Sequence, residues 1–255
     1  MVDQISINGM NIPVNITRCN IRNCYLKFND GVITIKLPKR LSEHDAKEIT
    51  NKLCTRFSSR VLKDPKLIEQ NTIYFKDGDI TSPLGINLNI SIVRSENKNP
   101  SALIKKQHNN IMVKLPKSLN EAKIKSLSNK MVFLGISKYL LPTIKSRIYM
   151  INDAHFKSEI RDIKLRYKQT SWGSYSKRTK RITINTKLLY LPNDVINYVL
   201  VHELAHTKVS NHSKRFWDIV YSIIPEYKIH RRYLRNNGNN INFVSSSTKA
   251  PMQID

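Results

Sequence analysis

Two histidines and a glutamate in the C-terminal third of the chain have the types and spacing of a catalytic metal site. His202 and His206 are four residues apart, so on a helix their imidazoles share one face, with Cβ atoms about 5–6 Å apart. Two imidazoles at that distance can bind one tetrahedral zinc ion. Glu203 lies beside the ligand face, where its carboxylate can deprotonate a zinc-bound water. Because zinc lowers the pKa of bound water to about 7, the motif predicts hydrolysis near neutral pH.

A zinc site of this kind needs a third protein ligand, and His212 is the nearest candidate. The polar stretch 207–210 continues a helix poorly, and an apolar periodicity typical of a new helix begins soon after His212. His212 would then lie in a turn, where it can fold back onto the metal. Its alternative role is that of a helix cap. We expect one zinc ion per chain with three ligands: His202, His206 and His212.

The residues around the motif extend the pattern beyond the histidines. The chain reads TSWGSYSKRTKRITIN before the motif, then NHSKRFW and YKIHRRYL after it. In these segments it resembles the YgjP-like zinc metallopeptidases, closely over residues 170–235 and more loosely over the whole chain. Members typically show RWGSC, a short strand, a Pro-led helix with HELxH, then NHSxxFW and a Y-x-x-HR-x-L ending. The family is related by motif to SprT-like proteases, some of which act on proteins crosslinked to DNA.

The resemblance implies the same three zinc ligands, with Glu203 as catalytic base in a zincin-like metallopeptidase fold. Asn211, Phe216 and Trp217 match NHSxxFW. The chain departs from the pattern at two positions: Ser171 stands in place of Arg, and Tyr175 in place of Cys. Neither is an expected metal ligand, so the departures concern specificity for the substrate.

A short segment before the motif could bind a peptide by adding it as a strand to the sheet edge. We expect this edge strand at Trp172, Gly173, Ser174 and Tyr175, with a structural role as the alternative for Trp172 and Gly173.

Peptide-bond hydrolysis also needs a group that stabilises the oxyanion. Tyr227, His230 and Arg231 are the candidates, because they follow the helix expected after the third ligand. Ordinary packing is the alternative for the tyrosine and the histidine.

The elements that must position this site are of mixed α and β type. Residues 162–167 alternate charged and apolar side chains, 181–185 form a second short strand, and Pro192 opens the ligand helix. We therefore expect an α+β, zincin-like core: a small antiparallel sheet with the HExxH helix packed on it.

The earlier part of the chain contains an internal repeat. GVITIKLPKRLSE at 31–43 matches NNIMVKLPKSLNE at 109–121, and each copy predicts a strand ended by Pro and followed by a helix. After the second copy, 136–150 is interpreted as a further helix that Pro142 starts or kinks. We expect a strand-rich N-terminal region over 1–98 containing a duplicated strand-LP-helix unit, a metallopeptidase domain over 99–235, and a flexible polar tail over 236–255.

The composition of the chain indicates which partners and which cell compartment this chemistry would have. The chain has 43 Lys and Arg against 19 Asp and Glu, a formal net charge of +24. Such a charge favours encounters with nucleic acid, although it also occurs as a simple solubility feature. Only three cysteines occur, and neither a signal peptide nor a membrane span is visible, so a cytoplasmic location is expected.

Three functions remain open from sequence. The first is a zinc metallopeptidase, a hydrolase of the metalloendopeptidase class, acting on a peptide or protein. The second is a SprT-like protease that cleaves nucleic-acid-bound proteins. The third is a non-catalytic, basic nucleic-acid-binding protein whose metal is structural; three visible ligands argue against it, because they leave one coordination position open.

Overall fold

The computed structural model describes residues 4–7, 9–29, 31–65, 68, 74–119, 121–168, 171–238, 241 and 243. The chain separates into two compact units, 1–74 and 75–255, each with its own hydrophobic core. The fold is of mixed α and β type, with three small sheets and several helices. Within the described residues, no helix is both long and apolar enough to cross a bilayer.

The first unit is a four-stranded sheet with one helix. Alternation places Ile33, Ile35 and Leu37 of the central strand in the core, as expected for a strand with one buried face. The strand order is β1-β2-β4-β3, with β2 and β4 parallel. The elements are β1 Gln4–Ile7, β2 Met10–Cys19, β3 Tyr25–Asn29, β4 Val32–Pro38 and α1 Glu43–Lys63.

The second unit begins with a sheet of the same strand order, β5-β6-β8-β7, and the same pairing directions. Pro38 and Pro116 of the LP sequences end β4 and β8 at matching positions, opposite Cys19 and Ser95. The elements are β5 Ile80–Thr81, β6 Leu88–Ser95, β7 Ser101–Lys105, β8 Asn110–Pro116 and α2 Glu121–Ile151.

The boundary between the two units lies between Tyr74 and Phe75. The expected boundary, after residue 98, falls in a polar stretch at 95–110 whose composition is that of a linker. The difference has a physical cause: β7 lies inside that stretch and pairs with β8, so the polar residues connect strands of one sheet.

One continuous helix, α2, replaces the two expected around Pro142, which lies inside it. Pro142 is exposed on α2, so its ring faces away from the core. The buried residues recur every four positions across it, and this row holds the two halves together: Val132, Ile136, Leu140, Ile144 and Ile148.

A third sheet, of three strands, supports the candidate site. Its order is β10-β11-β9, from β9 Asp162–Arg166, β10 Gly173–Ser176 and β11 Arg181–Asn185. The expectation of an antiparallel sheet is correct for β10 and β11 and wrong for β9, which is parallel to β11. Strands β9 and β10 lie on opposite sides of β11. Because the chain direction reverses from β9 to β10 and again from β10 to β11, β9 and β11 run the same way.

Three helices complete the second unit: α3 Asn193–Ala205, α4 Lys214–Ile223 and α5 Tyr227–Asn237. Helix α5 includes the first residues of the expected tail. Ile241 and Phe243 then pack on the core, and the Phe243 carbonyl accepts a hydrogen bond from Thr81 Oγ1 at 2.6 Å. The other tail residues from 239 lie outside the described residues.

Candidate metal centre and active site

Helix α3 positions the first two histidines and the glutamate. Nine of the eleven residues from Val195 to Ala205 are buried, so the helix is fixed inside the core of the second unit. His202 and His206 are one turn apart, with ring centroids separated by 5.0 Å. The sequence spacing therefore places both imidazoles on one side of a rigid support.

The chain turns immediately after α3 and returns His212 to the same point. The N–H of Val209 donates to the Ala205 carbonyl at 3.0 Å, which closes the turn. Nε2 of His212 then lies 3.1 Å from Nε2 of His202. One ligand atom from each of the three histidines lies within 4.8 Å of the others.

These distances and donor types fit a zinc ion. Two nitrogens bound tetrahedrally at 2.0–2.1 Å would be about 3.3 Å apart, close to the separation between His202 and His212. Nδ1 of His206 lies 3.1 Å from the Val209 carbonyl oxygen. That contact favours a proton on Nδ1 and leaves Nε2 as the ligand atom.

The local environment keeps two of the imidazoles neutral, which is the form that binds metal. Burial, together with smaller effects of the nearby His206, His212 and Arg231, lowers the pKa of His202 to about 3. Burial also lowers the pKa of His206, more than the Val209 carbonyl raises it.

Glu203 is buried beside the histidines, with 5% of its surface exposed. Burial raises its pKa to about 7, against the opposing effects of the Lys168 charge and a hydrogen bond from the Tyr175 backbone. Within the described part of the chain its Oε2 has no hydrogen-bond partner. A carboxylate with a pKa near neutrality suits proton transfer in both directions.

Strand β10 packs directly on this carboxylate. A Cβ added at Gly173 would lie 2.6 Å from Cγ of Glu203 and 2.7 Å from Cδ, well inside ordinary contact distance. Gly173, Ser174 and Tyr175 of the expected edge strand lie in β10, and Trp172 precedes it, with its ring against Gly238. Glycine at 173 therefore lets the sheet approach the glutamate.

The free edge of β10 presents backbone groups that do not pair with β11, among them the Tyr175 N–H that donates to Glu203. The Asn185 N–H donates to the Trp172 carbonyl at 2.8 Å, so residues 172 and 185 form a hydrogen-bonded pair. In an antiparallel ladder the next pair is not hydrogen-bonded. The N–H and C=O groups of Gly173 and Tyr175 therefore point away from β11, toward the open side of the sheet.

Aromatic residues of α4 surround the ligands. The Phe216 ring centroid lies 4.6–4.9 Å from those of all three histidines. Trp217 stacks on His212 at 5.7 Å and on Tyr227 at 5.0 Å. Phe216 and Trp217 thus give the site an apolar wall.

The structure brings the expected oxyanion groups to this wall without direct contact to the ligands. The Arg231 guanidinium lies over the Trp217 ring at 4.9 Å, and the His230 ring lies 6.2 Å from that of Tyr198. Tyr227 is buried against Trp217. Within the described residues none of the three forms a hydrogen bond to Glu203 or to the ligand histidines.

Two residues near the site were missed from sequence. Tyr198, one turn before His202, has its ring 5.9 Å from that histidine, and burial raises its pKa to about 12. Its i, i+4 spacing to His202 was a usable signal. Lys168 acts electrostatically on Glu203, and nothing in the basic run around it distinguishes it.

A second group with metal-ligand atoms lies in the first unit: His44, Asp45 and Glu48. All three are exposed, Asp45 bonds to Ser42, and Glu48 bonds to Lys52. This group offers a control for metal-binding experiments.

Comparison with known proteins gives a family and partial structural likenesses. No curated protein matches the chain. Metallopeptidase zymogens match with a TM-score of 0.35: Pyrococcus abyssi abylysin (25% identity, 39% of this chain, 99% of that one) and Methanocaldococcus jannaschii jannalysin (20%, 37%, 95%). Wss1 from Saccharomyces cerevisiae matches with a TM-score of 0.26, at 15% identity over 58% of this chain and 93% of that one. The family model "YgjP-like, metallopeptidase domain" matches residues 22–237, so the chain belongs to the YgjP-like metallopeptidase family.

Proposed function

We propose that the chain is a zinc-dependent metallopeptidase that hydrolyses peptide bonds, with one zinc ion held by His202, His206 and His212. The observation that carries the proposal is the convergence of three imidazoles beside a buried carboxylate and an open strand edge. Three protein ligands leave a coordination position for water or substrate, as in catalytic zinc sites.

Different residues of the chain would have different roles in the reaction. When bound, zinc supplies Lewis-acid polarisation of the scissile carbonyl and lowers the pKa of water. Glu203 takes the proton of the attacking water and passes it to the leaving amine, which its pKa near 7 supports. The backbone groups of Gly173 and the carbonyl of Tyr175, at the free edge of β10, bind the peptide as an added strand.

Stabilisation of the oxyanion is assigned to the α5 side of the site. Arg231 is the strongest of the three candidates there, because its positive charge reaches His202. Tyr227→Phe and His230→Ala test the other two: either would lower kcat with zinc retained if its group acts in the reaction, and leave turnover unchanged if it only packs.

Metal content and proteolysis, measured on the same samples, test the proposal. Mass spectrometry should find about one zinc per chain in the wild type, in Glu203→Gln and in the control His44→Ala. His202→Ala and His212→Ala should lose it. Casein hydrolysis should disappear in Glu203→Gln and persist in His44→Ala.

Three results would contradict the assignment. Zinc retained by His212→Ala would require a different third ligand. Full hydrolysis by Glu203→Gln would show that Glu203 is not the catalytic base. A fourth protein ligand, detected by X-ray absorption spectroscopy on the zinc protein, would revive a structural metal in a non-catalytic basic protein.

A second candidate is a protease for proteins bound to nucleic acid, and the net charge of +24 supports it. Single-stranded DNA should then accelerate casein hydrolysis, and the acceleration should fall steeply with salt. Activity indifferent to DNA, with no salt-sensitive DNA binding, would exclude this candidate. The three free cysteines are compatible with a reducing compartment such as the cytoplasm.

A further inference from the structure

The sheet that carries β10 has one apolar and one basic face. Ile163, Leu165, Ile182 and Ile184 point into the core, so the residues alternating with them lie on the opposite, outer face. The outer positions of the three described strands carry these residues: Asp162, Lys164, Arg166, Ser174, Ser176, Arg181, Thr183 and Asn185. The one carboxylate among them, that of Asp162, is already paired with Lys164 and Arg181.

Lys168 adds a fixed positive charge to this face, next to the open edge. Oδ1 of the buried Asn185 accepts from the Lys168 N–H at 3.2 Å, and its Nδ2 donates to the Lys168 carbonyl at 2.8 Å. The Lys168 ammonium then donates to Oγ of Ser174 at 2.8 Å. Within the described residues, no carboxylate lies within 4.0 Å of that ammonium.

A strand added at β10 would bring a substrate side chain to this ammonium. Ser174 and Thr183 form a hydrogen-bonded pair, so the Ser174 backbone faces β11, and the position across the free edge is a non-hydrogen-bonded one. Such positions have the closest side chains, with Cα atoms about 4.5 Å apart. The side chain opposite Ser174 would lie on the outer face, beside Lys168.

We propose that Lys168 determines specificity by binding an acidic side chain of the substrate, at the residue paired with Ser174. The proposal rests on the proposed function and names its substrate class: an extended peptide segment with Asp or Glu next to the residue opposite Gly173. The outer-face residues named above carry more positive than negative charge, and their one carboxylate, that of Asp162, is already paired, so this face favours an acidic partner.

Lys168 lies on the wrong face of the strand to act on the reacting atoms directly. Gly173 faces Glu203, whereas Ser174 and the Lys168 ammonium face the other way. The lysine should therefore change KM by an amount that depends on the charge of the peptide, whereas its charge acting on Glu203 would change kcat equally for all peptides. An equal KM for acidic and neutral peptides, with only a uniform change in kcat on mutation of Lys168, would overturn the proposal.

Binding to a catalytically inactive variant separates this proposal from the question of catalysis. The probes are fluorescein-labelled decapeptides of alternating Val and Thr in which one central residue is Asp, Asn or Lys. Their dissociation constants are measured by fluorescence anisotropy on the zinc-loaded full chain with Glu203→Gln, alone and combined with Lys168→Glu. Lys106 is an exposed residue in the turn between β7 and β8, and Lys106→Glu provides the same charge change as a control.

The Asp peptide should bind about three- to fivefold more tightly than the Asn peptide, as for an ion pair at a partly exposed site. Lys168→Glu should reverse the order in favour of the Lys peptide, and Lys106→Glu should leave it unchanged. Equal binding of Asp and Asn peptides, or a preference that survives Lys168→Glu, would overturn the proposal. Cleavage of the same peptides by the wild type reports on the proposed function separately, because binding does not depend on turnover.

Discussion

Replacing Gly173 by alanine tests whether the close approach of β10 positions the carboxylate of Glu203, which we propose as the catalytic base. The new Cβ would lie 2.6 Å from Glu203 Cγ, whereas ordinary contact begins near 3.4 Å, so strand or glutamate must move by about 0.8 Å. The glutamate is buried and cannot swing freely into solvent. A displacement near 1 Å costs about 100-fold in rate, equivalent to about 2.7 kcal/mol of transition-state stabilisation.

The assay is kcat for casein or a peptide, with zinc content and melting temperature measured on the same protein. We expect Gly173→Ala to lose about 100-fold in kcat, to keep its zinc, and to lose 1–3 kcal/mol of stability at most. Ser176→Ala is the matched control, because its side chain lies on the other face of the same strand. A near-normal kcat in Gly173→Ala would refute the reasoning. Loss of zinc would refute it as well, because it would show that the new Cβ displaces the metal ligands.

Three further changes test how the site is supported. Removing zinc with a chelator should lower the melting temperature of the wild type and of Glu203→Gln alike. At a free zinc concentration 1,000 times Kd, bound zinc would stabilise the folded protein by about 4.1 kcal/mol. An unchanged melting temperature would contradict a zinc site in the native state. Gly135→Ala would place a Cβ against the Ile111 side chain and should cost 1–3 kcal/mol in chemical denaturation; an unchanged midpoint would show that the helix can move at no cost. Asn185→Ala removes hydrogen bonds to the backbone of Lys168 and Ser171, so it should raise KM more than it lowers kcat; an unchanged KM would show that this loop does not position substrate.

The candidate site was predictable where its geometry is local. Two histidines four residues apart fix their own relation once a helix forms, and α3 is a helix because Pro192 opens it and apolar residues cover most of its faces. The position of His212 followed from the polar turn after His206. Tyr198 was available from the same i, i+4 rule, and it was missed because an aromatic residue in an apolar helix resembles core.

The features that were not predictable depend on residues far apart in sequence. The polar stretch 95–110 has the composition of a linker, yet β7 within it pairs with β8. The parallel pairing of β9 with β11 depends on the path of a connection, which no periodicity encodes. Lys168 is one of many basic residues, and only the buried Asn185, 17 positions later, turns it toward the open edge.

The two four-stranded sheets show why the site can be supported in the second unit. The helix that follows each sheet, α1 or α2, differs in how many of its faces are buried. Helix α1 has one buried row, typical of a helix that covers a single surface: Ala46, Thr50, Cys54 and Val61. Helix α2 packs on β7 and β8 and also on β9, and Ser137 bonds Thr186 just after β11, at 2.7 Å.

A helix that packs between two sheets must approach both of them closely. Gly135 has no side chain, so α2 can lie close to Ile111 of β8. Counting 78 residues back along the repeat, the corresponding position is Phe57, whose ring packs on Phe28 at 5.1 Å. A benzyl group there fills the contact between α1 and β3, at the position where α2 has glycine. In this chain the second sheet, and with it the helix that carries the proposed metal ligands, packs with the four-stranded sheet whose helix has two apolar faces and a glycine at the contact.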